Sequence, residues 1–186
     1  HGMFWYARAF NQPIGNWDVS HVTTVNFMFH GAVAFNQPLA DWNTCSVTDM
    51  GCMFYMARSF NQPLDKWDVS NVTNMSGMFH GAHAFNEPVE NWDVSKVADM
   101  NHMFSGAQSF KQDVRNWNVS NVVNMSFMFH DAHSFNAPIG NWFVSKSKLA
   151  HIPSLLGGAF RQPFGHWNVF RAADSFSFRV GGSFNQ

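Results

Sequence analysis

Apolar and polar residues recur in this chain with a fixed period of 25 residues. Residues 63–87 form one complete unit, which reads P-L-D-K-W-D-V-S-N-V-T-N-M-S-G-M-F-H-G-A-H-A-F-N-E. In its first part, Leu64, Trp67 and Val69 follow an L-x-x-L-x-L spacing, and the last of these positions alternate as in a half-buried strand. The pattern predicts one short parallel β-strand in each repeat.

The second part of the unit has the spacing of a helix. Ser70 lies at the position of an N-cap, and Gly81 lies where the helix would end. The apolar residues of this segment fall on one helical face. These residues are Val72, Met75, Met78, Phe79 and Ala82. We therefore expect a short helix or turn after each strand.

Large apolar residues occupy the same position in successive repeats. Seven of the eight tryptophans form one column: Trp17, Trp42, Trp67, Trp92, Trp117, Trp142 and Trp167. Phenylalanines form another column: Phe10, Phe35, Phe60, Phe85, Phe110, Phe135 and Phe160. One repeat is too small to bury such rings, whereas stacked repeats bury each ring against its neighbours. The sequence thus predicts a single repeat solenoid of about seven turns over residues 1–186, with both columns as its structural core.

The string M-F-x-x-A-x-x-F-N-Q-P-I/L-x-x-W-D-V-S-x-V-T covers nearly the whole chain. It resembles the repeat of the BspA-like leucine-rich-repeat surface proteins of mycoplasmas, other bacteria and some marine protists. This resemblance implies a curved, right-handed, leucine-rich-repeat-like solenoid at the cell surface or outside the cell. It also implies a role in adhesion or protein binding, and it supplies no catalytic residues.

The repeat pattern is interrupted in several places. Both ends of the sequence fall within a repeat, which suggests a segment of a longer protein. Residues 143–158 lose the pattern, and we expect an irregular turn there. The C-terminal third also places phenylalanines at positions that are polar or aliphatic in other repeats. The candidates for an apolar contact surface are Phe143, Phe164, Phe170, Phe176 and Phe178.

Residues that flank the buried Trp and Val of each predicted strand would point away from the core. They form a polar surface, here called the Asn/Asp face, which suits hydrogen bonding to a protein or a glycan. Its candidate binding residues are Asn16, Asp18, Asp41, Asn43, Lys66, Asp68, Asn91, Asp93, Asn116 and Asn118. The alternative is a solvated surface whose Asn and Asp residues shape turns. A separate column, Asn11, Asn36, Asn61, Asn86 and Asn136, is expected to satisfy backbone groups in tight turns.

Histidines and cysteines are the remaining candidates for metal chemistry. The weak candidates for metal ligands are His80, His83, His130 and His133. They form H-x-x-H pairs two repeats apart, which is about 10 Å at strand spacing, and no third ligand recurs nearby. We expect no metal and no cofactor. Cys45 and Cys52 are too few for a disulfide framework or a zinc site, so free thiols and one labile bridge remain alternatives.

Composition narrows the classes of function. Charged residues make up 12% of the chain and the net charge is −1, so there is no electrostatic footprint for nucleic acid. The apolar runs are too short for a transmembrane helix. No phosphate-binding loop is present, and the repeated serines have no distinctive neighbour that would activate one as a nucleophile. We therefore expect a protein that is not an enzyme.

The leading hypothesis is a non-catalytic repeat scaffold for protein–protein interaction, with adhesion or recognition at a cell surface as its suggested role. The alternative is a structural or linker subunit of a larger multiprotein assembly, because the chain combines low charge with many aromatic residues. Carbohydrate or ice binding is a weaker alternative. Its threonine column holds only Thr23, Thr48 and Thr73 before Ala98 and Val123 replace threonine. The partner is another protein whose identity the sequence does not give.

Overall fold

The computed structural model describes residues 1–143 and 160–162. Within these residues there is no helix and no extended strand. Isolated parallel bridges join Thr24, Asp49, Asn74, Asp99 and Asn124 in that order. The predicted fold class, a leucine-rich-repeat-like solenoid with one strand and one helix in each repeat, is therefore wrong. Each described repeat is built from turns.

Left-handed backbone conformations exclude the predicted helix. Gly77 and Gly81 lie inside the helical stripe and have φ angles of 59° and 64°, whereas a right-handed helix needs φ near −63°. The same two positions are left-handed in every described repeat. The first column comprises Gly2, Phe27, Cys52, Gly77, His102 and Phe127. The second column comprises Tyr6, Gly31, Met56, Gly81, Gly106 and Asp131.

Short turns replace the predicted strand as well. The amide of Trp67 donates to the carbonyl oxygen of Leu64 at 3.1 Å, and the amide of Val72 donates to that of Val69 at 2.9 Å. Hydrogen bonds between residues three apart close turns and cannot occur in an extended segment. The apolar alternation of Leu64, Trp67 and Val69 therefore reflects inward-pointing turn residues.

Backbone hydrogen bonds join each repeat to the next one. In one repeat the amides of Met75, Gly77, Phe79 and Gly81 each donate to the carbonyl oxygen 24 residues further along, at 2.7–2.9 Å. The amides between them close turns inside their own repeat, as Met78 does with the carbonyl oxygen of Met75 at 3.2 Å. Alternate amides thus have alternate roles. This arrangement satisfies the backbone without a sheet.

Phenylalanine rings fill the space between the stacked repeats. Phe79 stacks on Phe85 of its own repeat with ring centroids 3.8 Å apart, and on Phe104 of the next repeat at 5.5 Å. Both contacts recur along the chain, for example between Phe54 and Phe60 at 3.9 Å. Each buried aromatic side chain contributes on the order of 1.5–3 kcal/mol. The core is therefore continuous from one repeat to the next.

The predicted core columns are largely buried where the structure describes them. The buried members are Trp42, Trp67, Trp92, Trp117, Trp142, Phe35, Phe60, Phe85, Phe110, Phe135 and Phe160. Phe10 is half-buried against this core, whereas Trp17 is 38% exposed. Both lie near the N-terminal end of the described residues. Trp167 lies outside the described residues.

The extent of the repeat region remains a prediction, since the irregular turn at 143–158 falls almost wholly outside the described residues. Of the predicted apolar contact residues, only Phe143 is described, and 75% of its surface is exposed. The others, Phe164, Phe170, Phe176 and Phe178, lie outside the described part of the chain.

Candidate functional site

The Asn/Asp face is solvent-exposed. The structure places all ten of its predicted binding residues at the surface: Asn16, Asp18, Asp41, Asn43, Lys66, Asp68, Asn91, Asp93, Asn116 and Asn118. Half of them accept the backbone amide of the residue two positions later, as the Oδ1 atom of Asp68 does from Ser70 at 3.0 Å. The role of this face in ligand binding remains a prediction.

Three carboxylates of the Asn/Asp face are stabilised in their ionised form by their turns. Hydrogen bonds from the side chain and backbone of the serine two residues later lower the pKa values of Asp18, Asp68 and Asp93. Hydrogen bonds to a carboxylate favour its charged form. Their common environment gives no pair of carboxyl groups with opposed pKa values, which acid–base catalysis would need.

The second asparagine column has the structural role that the sequence predicted. The Oδ1 atom of Asn61 accepts the backbone amide of Asn86 in the next repeat at 2.8 Å. Asn11 and Asn36 do the same for the repeats that follow them, at 2.9 Å. These side chains connect repeats, so the prediction that they satisfy backbone groups is confirmed.

The H-x-x-H pairs lie in turns rather than on helices. His80 and His83 are half-buried, whereas His130 and His133 are exposed. Nδ1 of His130 lies 3.3 Å from the carboxylate of Asp131. Within residues 1–143 and 160–162, no group of three or more His, Cys, Asp or Glu side chains is placed to hold a metal ion.

Both cysteines are free thiols. Cys45 is exposed and Cys52 is half-buried. Burial raises the pKa of the Cys52 thiol, and the nearby carboxylate of Asp49 adds to this rise. Cys52 is therefore protonated and weakly nucleophilic near neutral pH.

Aromatic and imidazole rings form a second outward surface that sequence reasoning did not identify. We call it the ring face. It comprises Trp5, Tyr6, Phe27, His30, Tyr55, Met56, His80, His102, Phe127 and His130. At its centre, His30 stacks on Tyr55 with centroids 4.4 Å apart and planes 3° apart, and Tyr55 stacks on His80 at 4.3 Å. The sequence signal for the ring face was the recurrence of ring residues at one repeat position. The histidines at this position had been interpreted only as candidate metal ligands.

A second group of stacked rings continues the ring face. His102 stacks on Phe127 with centroids 4.9 Å apart and planes 11° apart. The edge of His80 meets His102 at 5.7 Å, with planes at 69°. This edge-to-face contact joins the two groups of stacked rings. The ring face therefore runs across several repeats without a charged side chain at its centre.

The central imidazoles of the ring face are neutral at pH 7. Burial lowers the pKa values of His30, His80 and His102, since desolvation disfavours the charged ring. The Nδ1 atoms of the same three residues are buried and have no hydrogen-bond partner. A buried polar atom without a partner costs free energy, which a bound hydrogen-bonding group would recover.

Two cavities open on or beside the ring face. The smaller, about 190 Å³, is lined by Cys52, Tyr55, Ser76, Gly77, His80, Asn101 and His102. The larger, about 460 Å³, is lined by Tyr6, Arg8, Gly31, Val33, Met56 and Arg58. In each cavity a glycine occupies a position where other repeats carry a larger side chain. Glycine thus leaves space between residues of neighbouring repeats.

No helix in the described part of the chain has the length and apolarity needed to cross a membrane.

Stacked 25-residue turns, an aromatic core and hydrogen bonds between repeats define a repeat protein. Residues 1–90 and 63–167 match the family described as "Mycoplasma protein of unknown function, DUF285", and the chain belongs to this family. The membership agrees with the expected resemblance to a mycoplasma repeat family, but it does not support the finer BspA-like and leucine-rich-repeat assignment. No curated protein and no solved structure matches the chain.

Proposed function

We propose that this repeat protein is a non-catalytic scaffold that binds another protein through its ring face. The observation that carries the proposal is the outward position of its rings. In the first repeat, Trp5 and Tyr6 are 62% and 55% exposed. Exposed aromatic side chains are unusual on a soluble surface and are enriched at the energetic centres of protein interfaces.

Preorganisation of the rings supports this role. The stacked rings of His30, Tyr55 and His80 already have fixed orientations before a partner arrives. The ring-face side chains would therefore lose little conformational entropy when a partner binds. The neutral imidazoles also spare the complex the cost of burying charge.

One group of serine, histidine and aspartate side chains resembles a catalytic triad in composition, but its geometry supports a non-catalytic role. The hydroxyl of Ser20 lies 3.0 Å from Nδ1 of His21, and its amide donates to Asp18 at 3.0 Å. In a catalytic triad the carboxylate orients the histidine, whereas here Asp18 engages the serine. All three groups are at the protein surface, outside the two cavities.

A fixed structural subunit of a larger assembly is the second candidate function. The exposed ring of Phe143 favours it, since covering this ring with a partner would remove apolar surface from water. The two functions differ in the behaviour of the isolated chain. A scaffold should sediment alone as a soluble monomer, whereas a fixed subunit should precipitate alone and co-purify with partners in constant stoichiometry.

Site-specific photo-crosslinking tests the proposed surface. A photoreactive amino acid replaces Tyr55 on the ring face or, as a matched control, Asn91 on the Asn/Asp face, in the organism that encodes the chain. We expect a discrete crosslinked protein from position 55, weakened by the additional substitution Trp5→Ala, and none from position 91. A crosslink from position 91 alone would instead favour the Asn/Asp face, and no crosslink from either would overturn a protein-binding scaffold.

A further inference from the structure

Gly77 interrupts a column of side chains on the ring face. The residues at this position in successive repeats are Phe27, Cys52, Gly77, His102 and Phe127. Rings stack where two neighbours carry them, as His102 and Phe127 do at 4.9 Å. Gly77, which lies between Cys52 and His102 in this column, carries no ring to stack on His102. One repeat therefore has a gap where a ring fits.

The gap coincides with the cavity of about 190 Å³ on the ring face. Tyr55 and His80 line one part of it, and Cys52 and His102 line another. A cavity of about 150 Å³ is large enough to hold benzene. The space at Gly77 is thus sufficient for one aromatic ring.

Gly77 itself keeps the gap open. Its φ of 59° lies in the left-handed region, which a side chain makes less favourable. A Cβ atom at this position would lie 3.1 Å from Sγ of Cys52 and 3.5 Å from Cδ2 of Tyr55. Any larger residue would begin to fill the cavity from its floor.

Two residues that line the gap each carry a nitrogen atom without a hydrogen-bond partner. Nδ1 of His80 and Nδ1 of His102 are buried without a hydrogen-bond partner, and both residues line the cavity. Burial lowers the pKa values of both imidazoles. A neutral imidazole has one nitrogen that accepts a hydrogen bond and one that donates. The cavity thus combines ring walls with polar side chains, including those of Ser76 and Asn101, and has unfilled hydrogen-bonding capacity at the two imidazoles.

We propose that the gap at Gly77 binds a tryptophan or tyrosine side chain of the partner protein. The inserted ring stacks on His102, and its N–H or O–H group donates to an imidazole nitrogen of His80. Such rings combine an apolar body with one polar atom, which is what the cavity offers. A metal ion is disfavoured, because no three potential ligands among the described residues converge. The inference rests on the proposed protein-binding function and assigns its anchor.

Titration with two amino-acid amides tests the chemistry of the gap. N-acetyltryptophanamide and N-acetylphenylalaninamide are added to the full chain, and the ring resonances of His80 and His102 are followed by NMR. We expect saturable shifts of both imidazoles, with the tryptophan amide binding about threefold to tenfold more tightly, the effect of one hydrogen bond. Absence of shifts up to the solubility limit of the tryptophan amide would overturn the proposal.

Paired glycine variants separate a filled cavity from a strained backbone. Gly77→Ala should weaken binding of the tryptophan amide at least about tenfold, the effect of losing a fitted ring contact. Gly106→Ala is the matched control, since Gly106 also has a positive φ, 69°, and does not line this cavity. If Gly77→Ala does not fold, His80→Leu replaces it and should abolish the preference for the tryptophan amide. Binding that is unchanged in the Gly77→Ala variant, or in the variant that replaces it, contradicts the assignment.

Crosslinking distinguishes this inference from the broader function. If position 55 captures a partner but the tryptophan amide does not bind, the scaffold function stands and the Gly77 anchor is wrong. If the amide binds and no partner is captured, the gap is a site for a free aromatic molecule and the assignment to a protein side chain is wrong.

Discussion

Trp92 donates its indole Nε1–H to the carbonyl oxygen of Leu64, 28 residues earlier, at 3.0 Å. Four other tryptophans make the same bond to an earlier repeat: Trp42, Trp67, Trp117 and Trp142. Each bond is buried, so its loss removes one of the two donors to its carbonyl oxygen, and for Leu64 only the backbone amide of Trp67 would remain. The tryptophan column therefore links repeats by a polar contact as well as by packing.

Trp92→Phe should destabilise the protein by about 2–4 kcal/mol, from the lost hydrogen bond and the cavity that the smaller ring leaves. Urea unfolding followed by circular dichroism measures the change. Trp17→Phe is the control, because Trp17 is 38% exposed and should lose no more than about 1 kcal/mol. Equal losses in both variants would contradict a structural role for the buried indole bond.

Asn61→Ala should cost about 1–2 kcal/mol, because the amide of Asn86 loses its acceptor. Asn61→Asp retains an acceptor oxygen at the same place and should recover most of this loss at pH 7. Thermal unfolding of both variants provides the measurement. Asn116→Ala, at an exposed position of the Asn/Asp face, should be nearly neutral, and the prediction fails if Asn61→Ala is equally neutral.

Stability should fall as the pH decreases from 7 to 5. The folded-state pKa of His80 lies below the ordinary 6.5, first because of burial and then because of His102, His130 and His30. The unfolded chain therefore binds more protons in this window, and its population rises as the pH falls below 6.5. The stabilising effect is fully present above that value.

Urea unfolding at pH 7.5 and pH 5.5 measures this dependence. His80→Gln should reduce the difference between the two pH values, whereas His133→Gln, at an exposed position, should leave it nearly unchanged. Asp18, Asp68 and Asp93 act in a separate pH range. Because their pKa values are lowered, the stability that they contribute is lost only as the pH falls below about 3.8. A pH difference that His80→Gln does not reduce would remove His80 as its source.

Gly81→Ala should destabilise the protein by about 1–2 kcal/mol, because Gly81 has a φ of 64°. A Cβ atom there would also lie 2.6 Å from Sδ of Met56. In the same column Asp131 is exposed at a φ of 56°, so Asp131→Gly should be neutral or slightly stabilising. Differential scanning calorimetry compares the two. If Gly81→Ala is as stable as the unmodified chain, the left-handed turn is not required at this position.

The helix and strand predictions failed for an identifiable reason. Val72, Met75, Met78, Phe79 and Ala82 are spaced as on one helical face, but successive turns closed between residues three apart bring nearly the same positions inward. In this segment Met78, His80 and Ala82 donate to the carbonyl oxygens of residues three positions earlier. Periodicity alone does not separate the two backbones. The glycines do not predict these left-handed positions reliably, since Phe27 and Met56 adopt the left-handed conformation too.

The ring face was missed because its residues differ from one repeat to the next. The position that holds His80 holds Trp5, Tyr55 and Ser105 in other repeats. His30, Tyr55 and His80 are joined by stacking, and stacking depends on the distance between repeats. The cavity at Gly77 has the same origin, because it exists only between side chains of neighbouring repeats.

The sequence by itself determined the 25-residue repeat, the identity of the large apolar residues in the core and the asparagines that join repeats, because these follow from which residue types recur at a fixed spacing. Only the tertiary structure decided that turns, and not a strand and helix, carry this pattern. Backbone amides have partners both within a repeat and 24 residues away, and local sequence preference does not choose between them. Stacking makes that choice, and it also fixes which rings face the solvent.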